Sequence, residues 1–197
     1  TVHILYGFGM TRFMQIAELA AGQHGVITTT DVAAAGIDTA ALRALARTGA
    51  VIRLASGLYR VPLIETTRLT PFMEAVLWTR RNGVVSHASG LTIRGYGDFA
   101  ESHIDLTLPR NVRLRKSGPT YYRLWHEDLA HDEIVIYEGI PVTTVLKSIK
   151  DAKLAGADPQ QLRLAARQAF QAGELNPAQD RAARRLLQSG AKTRNAS

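Results

Sequence analysis

Between Arg12 and Val61 the chain alternates short apolar-periodic runs with glycines and helix-capping residues, and this punctuation narrows the fold more than any other feature. Phe13, Ile16, Ala17 and Ala20 recur at the spacing of an amphipathic helix over 12–21, bracketed by Gly22 and Gly25. Val26-Ile27-Thr28 is short and β-rich. Thr29 or Thr30 offers a hydroxyl to the open N–H groups of a second helix, Asp31 to Ala35. Gly36 then supplies the left-handed residue that stops it. Asp38 caps a third helix over 39–48, which Gly49 closes. Two β-rich runs, 51–54 and 58–61, flank Ala55-Ser56-Gly57 and read as a hairpin. Helix, strand, helix, turn, helix, hairpin is the order of a winged helix-turn-helix, whose third helix enters the major groove of DNA.

The third helix carries Ile37, Ala41, Leu42 and Leu45 toward its inner side and Thr39, Arg43 and Arg47 toward the other. Arg43 and Arg47 stand four apart, so both leave the same face, and each guanidinium can donate two parallel bonds to guanine. Arg53, Arg60 and Ser56, on and beside the hairpin turn, are placed to meet phosphates. The DNA-binding set is therefore Thr39, Arg43, Arg47, Arg53, Ser56 and Arg60. The competing reading is a winged helix used only for protein contact. Residues 1–62 hold five basic and three acidic side chains, a modest excess for a DNA binder.

Pro62 to Leu69 reads as a linker, dividing the chain into domains over 11–62 and 63–197. Thr70-Pro71 opens a helix toward Arg81, with Pro at the first helical position. Short strand signals follow at 84–85, 103–108, 121–125 and 134–137, with a short helix over 87–93 and an extended piece at 140–142. Three more helices are expected from Thr143 or Thr144 through Asp151, over 160–172, and over 178–188. The fold class is α+β: an N-terminal winged helix-turn-helix, then a mixed α/β domain with a small sheet and a helical C-terminal end.

The chain has 197 residues and a formal net charge of +7, which points mildly to an acidic partner. The basic excess is greatest in 63–126, where Arg110, Arg113, Arg115, Lys116 and Arg123 crowd beside Tyr121-Tyr122. Such a loop can bind a nucleic-acid backbone or an acidic protein face, or simply be solvated. There is no cysteine, which excludes disulfides, Cys-ligated metal and a Cys nucleophile. His126 and His131 are five apart rather than the four a helical zinc-protease pair needs, so no metal site is expected. Ser89-Gly90 lacks the glycine of a nucleophile elbow, and no phosphate-cradling loop is present. Ser86 and Ser89 are read as capping or packing residues, and Glu127-Asp128 and Asp132-Glu133 as a solvated loop. No catalytic residue, metal or cofactor is assigned, and the protein is not expected to be an enzyme. No apolar run is long enough for a membrane span, and a cytoplasmic protein is the default expectation. Residues 1–9 read as an upstream extension with no assigned role.

Four stretches in order carry a family resemblance. They are Ser56-Gly57-Leu58-Tyr59-Arg60, Val84-Val85-Ser86-His87-Ala88-Ser89-Gly90-Leu91 with Gly95, Ile104 to Arg110, and Gly139-Ile140-Pro141-Val142-Thr143-Thr144 through Asp151. Together they resemble the AbiEi-type antitoxins, bacterial transcription regulators paired with a nucleotidyltransferase-like toxin. Gly90, Lys147 and Ser148 depart from the family's usual Ala, Arg and Thr. The resemblance implies repression of the protein's own promoter by the winged helix and neutralisation of the toxin through the C-terminal domain, with direct toxin binding not required. Two alternatives stand beside it: a ligand-responsive winged-helix regulator with no toxin partner, and a nucleic-acid enzyme, which would need a carboxylate cluster. Lys147 and Lys150 are expected to extend the 110–116 basic patch as an exposed stripe. Asp151, near a helix C-terminus, is expected to have a basic partner.

Overall fold

The computed structural model describes residues 11–100, 102–114 and 119–188. The chain divides into two compact units, Thr1–Trp78 and Thr79–Ser197. In the first unit, α1 (Arg12–Ala21) leads to β1 (Val26–Thr28), α2 (Thr29–Ala34) and α3 (Ala40–Arg47). β2 (Ile52–Ala55) and β3 (Leu58–Arg60) form the hairpin, and α4 (Thr70–Trp78) closes the unit. The sheet order is β1-β3-β2, all antiparallel. This is the winged-helix arrangement, with the last hairpin strand in the middle.

The caps show why the elements start where they do. α2 begins two residues earlier than expected because Thr28, not Thr29 or Thr30, is its cap: Thr28 Oγ1 accepts from Asp31 N–H, and the Asp31 carboxylate accepts from Thr28 N–H at 2.9 Å. Asp38 does take an N–H of α3, that of Ala40, at 2.9 Å. Gly57 sits at φ +77° in the hairpin turn, and a side chain there would also meet Thr29 Oγ1 at 2.9 Å. Ile16, Ile27, Val32, Leu42, Val51 and Val61 make the core, each at 1% exposure or less. Burial of an aliphatic side chain of this size stabilises by about 1.5–3 kcal/mol.

α4 was expected in the second domain and to run to Arg81. It belongs instead to the first unit, where Thr70 donates its hydroxyl to the His24 carbonyl at 3.1 Å. It ends at Trp78 because Arg80 and Arg81 both turn left-handed, at φ +56° and +63°.

The second unit contains β4 (Val84–Val85), α5 (His87–Thr92), β5 (Ile104–Leu108) and β6 (Tyr122–His126). A turn of 3-10 helix (His131–Glu133) precedes β7 (Ile134–Tyr137) and β8 (Ile140–Thr143). Three helices end the described chain: α6 (Val145–Leu154), α7 (Pro159–Gln171) and α8 (Pro177–Gln188). The five strands run in the order β6-β5-β4-β8-β7, with β5–β6 and β4–β8 parallel and the other pairs antiparallel. Leu91, Val145, Ile149, Leu162, Ala165, Ala169, Ala183 and Leu187 join α5 to the three C-terminal helices in one core. Arg94 acts as a structural pin rather than a site residue. It is buried, pairs with Glu174 at 2.9 Å, and donates to the carbonyls of Gly90 and Thr143. Tyr96 donates to the other Glu174 oxygen at 2.8 Å, fixing the α7–α8 turn.

Candidate nucleic-acid interface and a buried polar cluster

α3 presents Arg43 and Arg47 to solvent while Leu42 anchors its inner side. Neither arginine has an ion pair or side-chain hydrogen bond among the described residues. Thr39 is the N-cap of α3 and half-buried, without a side-chain capping bond. Ser56 is exposed at the hairpin tip. Arg53 is exposed and folds back, its Nε donating to the Ala55 carbonyl at 3.4 Å. Arg60 differs from the others: it lies on the central strand, half-buried, with its Nε withdrawn from solvent and unpartnered. Arg43, Arg47, Arg53 and Ser56 are thus outward-facing, whereas Arg60 keeps only part of its guanidinium available.

The basic patch of the second unit does not gather as expected. The β5–β6 register places Arg123 opposite Asp105, near the start of β5, while Arg110 follows the end of that strand. At about 3.3 Å per residue, the two arginines stand at opposite ends of the ladder. Arg123 turns toward Asp105 (3.9 Å) and lies over the Trp125 ring at 5.9 Å. Arg113 donates to the carbonyl of Arg110 at 2.6 Å, which curls the loop on itself. Arg115 and Lys116 lie outside the described residues.

Lys147 corrects the expected stripe. It is 5% exposed, and its ammonium donates to both Glu127 oxygens at 2.7 and 2.8 Å and to Asp151 Oδ1 at 3.0 Å. Only Lys150 is exposed. The reason is register: Lys147 shares the inner face of α6 with Ser148 and Asp151, and Glu127, the residue after β6, meets it there. Asp151 thereby gains the basic partner its position calls for. Glu127, expected in a solvated loop, supplies the outer half of the same ion pair.

This triad belongs to a wider buried polar cluster. Thr107 donates its hydroxyl to Ser86 Oγ at 2.8 Å, and Ser86 Oγ lies 2.9 Å from His87 Nδ1. The His87 ring stacks on Trp125 at 4.1 Å, and its backbone is left-handed at φ +53°. Ser89 Oγ accepts from the Asp105 N–H at 2.9 Å, and Asp105 accepts from Trp125 Nε1 at 2.9 Å. Ser86 occupies the N-cap of α5 without a side-chain capping bond, so the two serines stitch the helix to the sheet rather than cap. Periodicity could not have found this cluster, because its members come from four separate elements, α5, β5, β6 and α6, and from residues beside them. The Ser-His-x-Ser and Thr-Thr-x-x-Lys-Ser-x-x-Asp spacings were the available signal.

Electrostatics follow from burial. Burial lowers the His87 pKa below the ordinary imidazole range; Asp105 opposes the shift, as do Asp151 and Glu127, while Lys147 adds to it. Burial raises the Asp151 carboxyl despite the Lys147 ammonium beside it, and its Oδ2 has no hydrogen-bond partner. Burial pulls Lys147 down, but its bonds to Glu127 and Asp151 outweigh that and leave it above the usual lysine value. Among the described residues no group of three or more His, Asp or Glu side chains could hold a metal ion. No helix among them is long and apolar enough to cross a membrane.

No curated protein matches the chain. A solved structure, the RV2827C protein from Mycobacterium tuberculosis, is similar over 90% of this chain and 82% of its own, at 17% identity and a TM-score of 0.46. Residues 14–62 match the family model described as a transcriptional regulator, AbiEi antitoxin, a span that runs from α1 through the hairpin. The winged-helix stretch of this chain is therefore similar to that of the AbiEi antitoxin transcriptional regulators.

Proposed function

We propose that the protein is the antitoxin of a bacterial toxin–antitoxin pair, that it represses its own promoter, and that it counters a nucleotidyltransferase-like toxin. The observation that carries the reading is α3: a helix anchored by Leu42 that holds toward solvent two arginines one turn apart, unpaired among the described residues, inside the stretch that matches the antitoxin-regulator family. Arg43 and Arg47 would read bases, and Arg53 and Ser56 would hold the backbone. The second unit would act against the toxin. Its polar cluster supports a structural role there, since almost every buried donor and acceptor is spent within it.

A growth-rescue assay tests this. The neighbouring gene is expressed alone, with the full chain, and with residues 79–197, each partner under an unrelated promoter so that repression cannot account for rescue. The cut falls at the unit boundary, because α4 packs with the first unit. Rescue by the full chain supports the reading, and rescue by 79–197 assigns neutralisation to the second unit. A harmless neighbour, or no rescue by either, refutes it.

A further inference from the structure

α7 and α8 form a helical hairpin whose outer surface holds a cavity of about 230 Å³. Arg163, Arg167 and Arg184 wall it, Asp180 sits on one side, and Ala166 and Leu187 form the floor. We propose that this groove binds the phosphates of a single nucleic-acid strand. The reading of α3 concerns base recognition by the first unit; this one adds a backbone site on the second.

The argument begins with charge. Arg163 and Arg167 stand four apart on α7, where like charges repel and weaken the helix. Neither has an ion pair or side-chain hydrogen bond among the described residues, and both are exposed. The one acidic group in the groove, Asp180, is taken by Arg184 at 2.8 Å. Arg181 and Arg185 extend the positive charge along α8. The helix tolerates this repulsion because its inner face, Leu162, Ala165 and Ala169, is fully buried.

Shape and chemistry select the occupant. Side chains one turn apart on a helix are separated by about 5–6 Å, which suits successive anionic groups on one extended strand. Guanidinium forks grip phosphate oxygens bidentately. The Ala166 and Leu187 floor offers an apolar bed for the sugar between them. A cavity of this size does not admit a partner helix, which is about 10–12 Å across with its side chains.

The test uses the full chain and an oligothymidylate of about 20 nucleotides, which carries phosphate but little sequence information. Binding is measured as a function of salt for the wild type, for Arg163→Ala with Arg167→Ala, and for the same pair changed to Lys. Single-strand contacts contribute about 0.7 each to the slope of log affinity against log salt, so the alanine pair should lower the slope by about 1.4. The lysine pair should keep it. Melting temperature should be unchanged, because both side chains lie outside the core. An unchanged slope in the alanine pair overturns the proposal. If calorimetry with inorganic phosphate alone shows binding that the alanine pair loses while the slope holds, the groove is a free-anion site and the proposal fails. Loss of toxin rescue with an unchanged slope would mark an acidic protein as the occupant, and also refutes it. Arg43→Ala with Arg47→Ala is run alongside. It should lose promoter recognition while the groove variants still shift the oligothymidylate slope, so the two readings fail separately.

Discussion

Replacing Lys147 with Met should destabilise the second unit in a way that depends on pH. The lysine holds two carboxylates with different exposure. Glu127 has 44% of its side chain in contact with solvent and can turn to water, so its loss costs about 0–1 kcal/mol. Asp151 has 5% exposure and one oxygen already unpartnered, so removing Lys147 leaves a buried carboxylate with nothing to neutralise it. Breaking a buried pair costs about 3–5 kcal/mol. Protonation sets a ceiling on that cost: forcing a carboxyl of ordinary pKa to hold its proton at pH 7 takes about 4 kcal/mol. The ceiling falls by about 1.4 kcal/mol per pH unit, to about 1.5 kcal/mol at pH 5. The sign is that of a group whose folded pKa is raised: the variant loses stability as pH rises toward that pKa and regains it on acidification. Urea unfolding followed by Trp125 fluorescence, in a Trp78→Phe background, reports the second unit. Because the Asp151 carboxyl is already raised in the intact protein, the expected loss is at most about 4 kcal/mol at pH 7 and shrinks below about 1.5 kcal/mol at pH 5. Lys147→Met with Asp151→Asn should recover most of it. A loss under about 1 kcal/mol, or one independent of pH, would refute the account of Asp151 as a carboxylate held charged by this lysine.

Three other outcomes follow from the same structure. Arg43→Ala with Arg47→Ala should abolish specific promoter binding in a mobility-shift assay and leave the melting temperature within about 2 °C, because both are exposed surface residues. Gly90→Ala should cost about 1–3 kcal/mol by urea unfolding, since its Cβ would stand 2.5 Å from Ser148 Oγ, which is buried and bonded to Thr143. His87→Asn should flatten the acid limb of stability. The depressed His87 pKa stabilises the fold above the ordinary imidazole value near 6.5 and loses that contribution as pH falls below it. Asn tolerates the left-handed backbone there, and a wild type no more acid-sensitive than the variant between pH 7 and 5 would exclude His87 as the source.

Gly90 and Ser148, two of the departures from the antitoxin resemblance, meet at the α5–α6 contact. An Ala at position 90 would press on the hydroxyl at position 148, and the glycine avoids that crowding. The sequence alone displays two unrelated oddities; the packed α5–α6 contact makes them one.

Local signals determined the first unit. Gly36, Gly49 and Gly57 adopt positive φ, at 74°, 78° and 77°, as their turns require. The Leu42 side of α3 is inward and the Arg43 side outward, because helical periodicity and burial agree over so short a span. The strands and C-terminal helices of the second unit were legible for the same reason, to within a residue or two at most ends. The tertiary structure decided what depends on long-range pairing. It gave α4 to the first unit, because Thr70 finds its acceptor at His24, and chain distance carries no record of that choice. It buried Lys147, because charge in a sequence looks the same whether it faces water or a pair of carboxylates from another element. It separated Arg123 from Arg110, since nearness along the chain gives way to strand register once β5 and β6 pair. Local conformational preference is written residue by residue, whereas the environment of a charge is set by whatever the fold brings beside it.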